Sequence, residues 1–230
     1  MFFTIKKRTI IIALSLILAL VASVVGICVG VRAAQTAGMN GLTIVIDAGH
    51  GGIDGGVVGR TTGVKESDIN LAISLKLRDF LQTKGYRVVM TRTTQDGLYG
   101  LNNSNKKLAD MEARRRIINN ASPDLVVSIH QNSYPCPSVN GAQVFYCTTC
   151  EVSGKKAELM QTTLNVSLGF NKLPKQGDFF ILECSPYPSL LIESGFLSNP
   201  EEERLLITPE YQEKIAYTIA NGIHLILMGE

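Results

Sequence analysis

LTIVIDAGHGGIDGGVVG, residues 42–59, is the stretch that indicates the fold most directly. Its first six residues, 42–47, form an apolar run that predicts a buried β-strand. The following part, 49–59, contains six glycines and one histidine. This composition predicts a loop whose backbone adopts angles that few other residues tolerate. The strand therefore delivers this loop, with its histidine, beyond its own carboxyl end.

The rest of the chain alternates between apolar runs typical of strands and amphipathic segments typical of helices. This alternation predicts an α/β fold, a single three-layer domain with a mostly parallel central sheet that is flanked by helices. Asp68 is the predicted cap of the first helix, and Gly85 follows its end. Strands are predicted at 42–47, 86–90, 125–130, 142–146, 179–182 and 189–193, and helices at 68–81, 106–119, 151–168, 201–206 and 210–228.

The N-terminal part of the chain predicts a membrane anchor. Residues 1–8 are basic, 9–31 are apolar and 32–41 form a linker, which leaves 42–230 as the catalytic domain. At about 1.5 Å per helical residue, 9–31 spans roughly 34 Å, enough for a bilayer core of about 30 Å. Because the basic residues precede this segment, we expect a cytoplasmic N-terminus and an extracytoplasmic domain. A cleaved signal peptide is the competing interpretation, and it would make the protein secreted.

The charge of residues 42–230 argues against nucleic acid as a partner. This part has 18 basic and 20 acidic residues, since four of the 22 basic residues of the chain precede it. Binding to nucleic acid requires a concentrated basic face. The one basic run here, 114–116, is better explained as a solvated helix face.

Five cysteines are present, and Cys147 and Cys150 form a C-x-x-C pair. A structural zinc site would require a second pair, which the sequence lacks. Thiols, or one disulfide on the oxidising side of a membrane, are the favoured interpretation.

Ionisable side chains follow or close several of the predicted strands. His50 lies three residues beyond one strand, and His130 and Glu193 close two others. Because functional groups of α/β sheets gather beyond the carboxyl ends of the strands, we expect these side chains to lie together. Glu66 precedes a predicted helix and can reach the same edge. Two imidazoles and one carboxylate are the ligand set of a catalytic zinc site, and a further carboxylate suits a proton shuttle.

These residues also have structural interpretations. His130 could be a core histidine, and a buried Glu193 needs a partner, a metal or an exposed strand end, because an unpaired buried carboxylate is costly. Asp47 and Asp54 are alternative ligands, and Asp47 is also a candidate acceptor for the proton of a ligating imidazole. His224, on the last predicted helix, is most simply a packing or surface residue. The sequence contains neither the zinc motif H-E-x-x-H nor the nucleophile motif G-x-S-x-G.

Four segments in a fixed order carry a family resemblance: IDAGHGGIDGG, KESDINLA, VVSIHQNS and LLIESGFLSNPEEERLL. Over about residues 42–228, the chain resembles the zinc-dependent N-acetylmuramoyl-L-alanine amidases. The resemblance implies one Zn²⁺ ion bound by His50, Glu66 and His130, with Glu193 as the catalytic residue. Ser67 departs from the E-K-D that family members usually have here, and this departure leaves the ligand in place.

Three further residues are candidates for contacts around such a site. Asn132 and Arg114 are expected to contact the substrate or the oxyanion, and Asp47 is expected to support a ligand. Structural hydrogen bonding is the alternative for Asn132 and Arg114.

The membrane leader and the segments MEARRRIIN and GAQVFY make the chain similar, within this family, to the spore-cortex amidases. This similarity implies hydrolysis of the amide between N-acetylmuramic acid and L-alanine, as a step towards muramic-δ-lactam formation and germination. The expected partners are a peptidoglycan glycan strand with its stem peptide, the membrane through 9–31, and an accessory protein. The expected location is the cell membrane, facing the forespore intermembrane space. A vegetative autolysin, another zinc exopeptidase on wall peptides and a non-catalytic wall-binding protein are the alternatives.

Overall fold

A computed structural model of the chain describes residues 16–18, 20–23, 41–100, 104–148 and 151–229. The chain divides into two compact units, Met1–Gly41 and Leu42–Glu230. In the first unit, the described residues 16–18 and 20–23 are helical, and most of the predicted membrane segment 9–31 lies outside the described residues. Among the residues that are described, no helix has both the length and the apolar character needed to cross a bilayer.

The second unit alternates strands and helices along the chain. In order, they are β1 (Thr43–Ala48), α1 (Glu66–Thr83), β2 (Arg87–Met90), α2 (Lys106–Ala121), β3 (Leu125–Asn132), β4 (Gln143–Tyr146), α3 (Glu151–Leu168), β5 (Lys175–Gln176), α4 (Phe180–Glu183), β6 (Ser189–Phe196), α5 (Pro200–Leu206) and α6 (Pro209–Met228).

The strands form one sheet in the order β2-β1-β3-β6-β4-β5. Neighbouring strands are parallel except β4 and β6, which are antiparallel. The predicted α/β domain with a mostly parallel sheet is therefore confirmed, and β5 is an addition that the sequence did not indicate. Since β1, β3 and β6 are parallel neighbours, their carboxyl ends lie along one edge of the sheet, and this edge carries the candidate site.

Both faces of the sheet are covered, and all six residues of β1 are accordingly buried. On one face, Val45, Val126 and Leu191 form a core cluster with Ile118 of α2 and Leu182 of α4. Elsewhere on the sheet, α1 contacts β1 and β3, α3 contacts β4 and β6, and α6 packs against both of these helices. The sheet is thus the middle layer between two groups of helices.

Two predicted elements differ in the structure. The strand predicted at 179–182 is wrong, since α4 is helical and the N–H of Leu182 donates to the carbonyl of Phe179 at 2.9 Å. A four-residue apolar run does not distinguish a strand from a helix by periodicity. The first helix begins at Glu66 rather than at Asp68, because the N–H of Glu66 donates to the carbonyl of Val57 at 2.8 Å. That hydrogen bond replaces the side-chain cap that the sequence predicted.

The buried face of α2 does not include the large aliphatic residue Leu108. The Leu108 side chain is 57% exposed. The buried positions include Arg114, Ile118 and Ala121. Extended backwards with the helical period, this stripe passes through Met111 and leaves Leu108 outside it.

Candidate metal centre and active site

His50, Glu66 and His130 converge at the carboxyl edge of the sheet. Each offers one ligand atom, and these atoms lie within 4.8 Å of one another. Glu66 Oε1 is 2.9 Å from His130 Nδ1 and 3.2 Å from His50 Nε2. The two imidazole rings meet edge to face, with centroids 4.9 Å apart. Three side chains that are distant in sequence therefore present their donor atoms to one point.

The sheet register brings the two histidines together. Ala48 at the end of β1 pairs with Ile129 of β3, directly before His130. The chain then turns at His50, which has a φ of 60°. Gly49 is required between them, because a Cβ atom at this position would collide with the His130 ring. The glycine-rich composition of this loop is thus explained by the close approach of the second imidazole.

Glu66, the first residue of α1, is the centre of the cluster and is only 2% exposed. Its Oε2 accepts a hydrogen bond from Val57 N at 2.9 Å, and its Oε1 accepts hydrogen bonds from Gln131 N at 3.1 Å and Asn70 Nδ2 at 3.2 Å. Burial alone would raise the pKa of this carboxyl group, but the two histidines hold the pKa well below its usual range. Glu66 is therefore a carboxylate at neutral pH, which is the form of this side chain that can bind a metal.

A hairpin from Val57 to Lys65 leads into Glu66 and is fixed by a residue that is distant in the sequence. Val58 and Lys65 form an antiparallel bridge across it. At its tip, Glu203 of α5 accepts hydrogen bonds from Thr62 N and Thr62 Oγ1, both at 2.7 Å, and from Thr61 N at 3.0 Å. Glu203 is 1% exposed, so a buried carboxylate on α5 fixes the hairpin that ends at Glu66.

Asp54 supports His50 from the other side of the ring. His50 Nδ1 lies 3.0 Å from Asp54 Oδ1, which leaves Nε2 facing Glu66. Burial would lower the pKa of His50, but Glu66 and Asp54 together raise it to about 9. Asp54 was predicted as an alternative ligand, and the structure instead places it as the partner that orients an imidazole.

Asp47 does not contact a histidine, contrary to the role predicted for it. Its Oδ1 accepts hydrogen bonds from Arg114 Nη1 at 2.6 Å and Thr91 Oγ1 at 2.8 Å, and its Oδ2 accepts one from Ser128 Oγ at 2.6 Å. Burial opposes ionisation, yet Arg114 and these donors lower the pKa of Asp47 to about 2. Asp47 is therefore a buried carboxylate below the candidate site that pairs with an arginine.

Arg114 is buried, so the prediction of a solvated face is wrong at this position, although Arg115 and Arg116 are exposed. Only 2% of the surface of Arg114 is exposed. Besides Asp47, the guanidinium donates to Asp110 Oδ2 at 2.7 Å, to the carbonyl of Ala48 at 2.9 Å and to the carbonyl of His50 at 2.6 Å. Burial of the guanidinium is tolerated because two carboxylates balance its charge and two carbonyls accept its other hydrogen bonds. These contacts brace the loop that carries His50.

Arg92 performs a similar task and was not identified from the sequence. It follows β2, and its guanidinium donates to the carbonyls of Ala48 at 2.8 Å, Gly49 at 2.9 Å and Ser67 at 2.9 Å. It therefore ties the histidine loop to the first turn of α1. The available signal was an arginine two residues beyond the end of a predicted strand.

Glu193 lies beside the cluster on β6, where its Cα is in register with that of His130. β6 continues to Phe196 and β3 to Asn132, so the prediction that Glu193 and His130 close their strands is wrong. Among the described residues, Glu193 Oε2 is buried without a hydrogen-bond partner. Burial raises the pKa of this carboxyl group to about 7. An unpartnered carboxyl group beside a candidate metal centre suits a group that exchanges protons.

The remaining candidate residues have structural contacts. Asn132 Oδ1 accepts from Ser133 N at 2.8 Å. His224 Nδ1 lies 3.0 Å from the Tyr86 hydroxyl, which agrees with a packing role. Cys136 and Cys184 are thiols, whereas the predicted C-x-x-C pair cannot be followed because its second cysteine lies outside the described residues.

A cavity of about 230 Å³ opens onto the histidines. One side of the cavity is polar, and α4 with the residue before it supplies an aromatic and aliphatic wall. The lining residues are Asp47, Gly49, His50, Asp54, Lys107, Asp110, Met111, Arg114, His130, Phe179, Phe180, Ile181 and Leu191.

Together, the fold and the site define an α/β enzyme with a candidate metal centre at the carboxyl edge of its parallel strands. The chain belongs to the N-acetylmuramoyl-L-alanine amidase family, which it matches over residues 44–224, and it is an amidase of that class. This membership confirms the resemblance carried by the four sequence motifs.

Individual relatives agree with this assignment. The chain is 36% identical over 192 residues to the germination-specific N-acetylmuramoyl-L-alanine amidase of Bacillus subtilis, covering 80% of this chain and 79% of that protein. It is 31% identical over 226 residues to the amidase AmiA of Escherichia coli, covering 78% and 74%. The solved structure of the CwlD amidase from Clostridioides difficile, in complex with the GerS lipoprotein, is similar with a TM-score of 0.78 and 37% identity, covering 82% of this chain and 100% of that one.

Proposed function

We propose that this amidase depends on one zinc ion held by His50, Glu66 and His130, and that Glu193 transfers protons during hydrolysis. The observation that carries the proposal is the convergence of one ligand atom from each of these three residues within 4.8 Å. Nitrogen and carboxylate ligands in a 2:1 ratio are a set that catalytic zinc uses while keeping a position for substrate.

The surroundings of the three residues fit a bound cation. Glu66 remains ionised in its buried position, and Asp54 accepts from the far nitrogen of His50. Glu66 Oε1 lies within 3.2 Å of a nitrogen of each histidine and also accepts hydrogen bonds from Asn70 Nδ2 and Gln131 N. These amide and backbone donors would hold the carboxylate of Glu66 in place if zinc were bound.

Hydrolysis requires proton movement that the chain itself can supply. When bound, zinc supplies a Lewis acid that polarises the amide carbonyl and makes water nucleophilic near neutral pH. Glu193 accepts a proton from the attacking water at its unpartnered Oε2 and delivers it to the nitrogen of the departing L-alanine. Acid–base catalysis of this kind accelerates a reaction by about 10²–10⁴-fold. Asp47, Arg114 and Arg92 keep the histidine loop in place during this exchange.

The substrate we propose is the spore-cortex form of peptidoglycan, where removal of the stem peptide would precede muramic-δ-lactam formation. The germination-specific activity named for the Bacillus subtilis relative supports this choice. The complex of the CwlD relative with a lipoprotein supports an accessory partner for this chain as well. Basic residues ahead of the apolar segment 9–31 support an anchor with residues 42–230 outside the cytoplasmic membrane.

Mass spectrometry of digested peptidoglycan tests the reaction and the substrate together. The zinc-loaded full-length chain is incubated with cortex peptidoglycan and, separately, with vegetative peptidoglycan. We expect free stem peptides, released faster from the cortex material. Intact stems on both materials would refute the proposed reaction. Faster release from vegetative material would assign the chain to wall autolysis, and stems shortened from a free amino terminus would indicate an exopeptidase.

A further inference from the structure

A second cavity adjoins the candidate active site. Its volume is about 280 Å³, and it shares Asp54, Lys107, Asp110 and Met111 with the cavity over the histidines. The two cavities are therefore adjacent, and these four shared residues form the boundary between them. A substrate that extends from the scissile amide can reach the second cavity without leaving the protein surface.

The two acidic residues of this boundary, Asp54 and Asp110, already contact other groups. Asp54 contacts His50 Nδ1 at 3.0 Å and accepts from Gly56 N at 3.1 Å. Asp110 accepts from Arg114 Nε at 2.7 Å and from Leu98 N at 2.6 Å. Among the described residues, neither Asp54 nor Asp110 therefore forms a close ion pair with a lysine of this cavity.

The cations of this cavity are two consecutive lysines at the start of α2. Lys106 Nζ lies 5.3 Å from the centre of the Tyr99 ring, so that an aromatic face holds this ammonium group. Lys107 is exposed, and it lines both the cavity over the histidines and the second cavity. Lys107 thus presents an ammonium group at the boundary between the two cavities.

The other walls are apolar or aromatic. Ile53 is 68% exposed, although it is a large aliphatic residue, and its N–H donates to the Tyr99 hydroxyl at 3.0 Å. Met111 also lines the cavity. A cavity of this kind suits a ligand with a short aliphatic backbone and a negative charge, since the ammonium group meets the charge and the apolar walls cover the carbon chain.

The chemistry of the substrate determines which half of it carries that charge. In the substrate, the carboxyl group of muramic acid is consumed in the amide bond, and the hydroxyl and acetamido groups of the sugars are neutral. Carboxylates are therefore found on the stem peptide. We propose that the second cavity binds the stem peptide of the substrate and that Lys107 pairs with one of its carboxylates, which makes Lys107 a specificity-determining residue. This inference rests on the proposed function and adds the orientation of the substrate, with the peptide half lying over the start of α2.

The experiment compares two forms of one substrate, with the stem carboxylates either free or converted to carboxamides. We expect Lys107→Met to lower kcat/KM about 5- to 10-fold on the free-carboxylate form, mostly through KM, and to leave the carboxamide form unaffected, because a charge-assisted hydrogen bond is lost only in the first case. Lys107→Arg should retain most of the activity. Lys214→Met, which removes an exposed lysine from α6, serves as the matched control.

Equal losses on both forms, or no loss on either, would overturn the assignment of Lys107. Binding of a synthetic stem tripeptide that begins with L-alanine, measured by calorimetry, does not depend on turnover. We expect about 5- to 10-fold weaker binding by Lys107→Met than by the wild type, and no difference for the tripeptide carboxamide. If the wild type releases no stem peptide, the proposed reaction fails, whereas unchanged tripeptide binding by Lys107→Met refutes the peptide-binding cavity alone.

Discussion

His130 on β3 and Glu193 on β6 are register partners on neighbouring parallel strands. The His130 side chain contacts Glu66 in the candidate metal centre. The Glu193 side chain has a buried carboxyl oxygen, Oε2, that makes no hydrogen bond to the described residues. Because strand pairing fixes the two Cα positions, the sheet holds the candidate ligand and the candidate proton carrier side by side. Preorganisation of this kind keeps a catalytic group at its working distance without a conformational step.

Glu193→Gln separates metal binding from proton transfer. Glutamine has the same shape and cannot carry the proton, so we expect zinc content to be unchanged and turnover to fall by about 10²–10⁴-fold. Zinc content by elemental analysis and stem release by mass spectrometry are measured on the same sample. Glu158→Gln, an exposed position on α3, should match the wild type. Loss of zinc from Glu193→Gln would identify this residue as a ligand instead.

Removal of metal should affect stability as well as activity. A ligand present at 100 times its dissociation constant stabilises the folded state by about 2.7 kcal/mol. We therefore expect a chelator to lower the free energy of unfolding by about this amount and to abolish stem release, and added zinc to restore both. Glu66→Gln should be insensitive to chelator and zinc. Full activity of a preparation shown to lack metal would contradict the zinc centre.

The pairing of Asp47 with Arg114 predicts a loss of stability in acid. The pKa of Asp47 is lowered to about 2 from 3.8, so its contribution is complete above about pH 4 and disappears as the pH falls through about 2. This shift corresponds to stability on the order of 2 kcal/mol. Urea unfolding of Asp47→Asn at pH 6 should show at least this deficit, since Arg114 also loses its buried partner.

The difference between Asp47→Asn and the wild type should shrink towards pH 2, where about half of the wild-type carboxyl groups are protonated. A deficit that stays constant between pH 6 and pH 2 would show that the amide disrupts packing and that ionisation of Asp47 contributes nothing.

Glu203 is predicted to control the metal centre through the hairpin that ends at Glu66. In Glu203→Gln, the carboxylate that receives three donors from Thr61 and Thr62 becomes a neutral amide. Groups that orient a ligand typically change metal affinity by 10–100-fold when they are lost. We expect zinc affinity, measured by competition with a chromophoric chelator, to fall by about 10-fold.

A matched control for Glu203 lies two positions earlier on the same helix. Glu201→Gln changes an exposed carboxylate and should leave zinc affinity unchanged. If Glu203→Gln lowers the thermal midpoint while zinc affinity stays at the wild-type value, Glu203 stabilises the fold and has no positioning role.

Local patterns in the sequence were sufficient for the general architecture and for part of the site. The apolar run before Gly49 and the alternation that follows predicted a parallel sheet, and strand order then brought His50 and His130 to one edge. Glu66 was identified through the family resemblance, because nothing in its own neighbourhood distinguishes it from another acidic residue at a helix start. The exact ends of β3 and β6 were missed, since apolar runs do not show where pairing stops.

The support around the site was much less predictable. Arg114 lies in a basic run that resembles a solvated surface, yet it is buried against Asp47 and the carbonyl of His50. Asp47 and Asp54 were assigned roles that the structure distributes differently, since Asp54 contacts His50 and Asp47 contacts Arg114. Each of these contacts depends on which helix or loop packs against the carboxyl edge of the sheet.

By itself, the sequence determined the α/β class, the strand that delivers His50 and the set of residue types able to hold a metal. These properties follow from periodicity and from the chemistry of single side chains, which are local. Only the tertiary structure decided which carboxylates face the imidazoles, that Glu193 lies beside His130, and that Glu203 reaches across to the hairpin of Glu66. Those relationships join residues from different elements, many of them distant along the chain, so they arise only when the helices pack on the sheet and the buried charges find their partners.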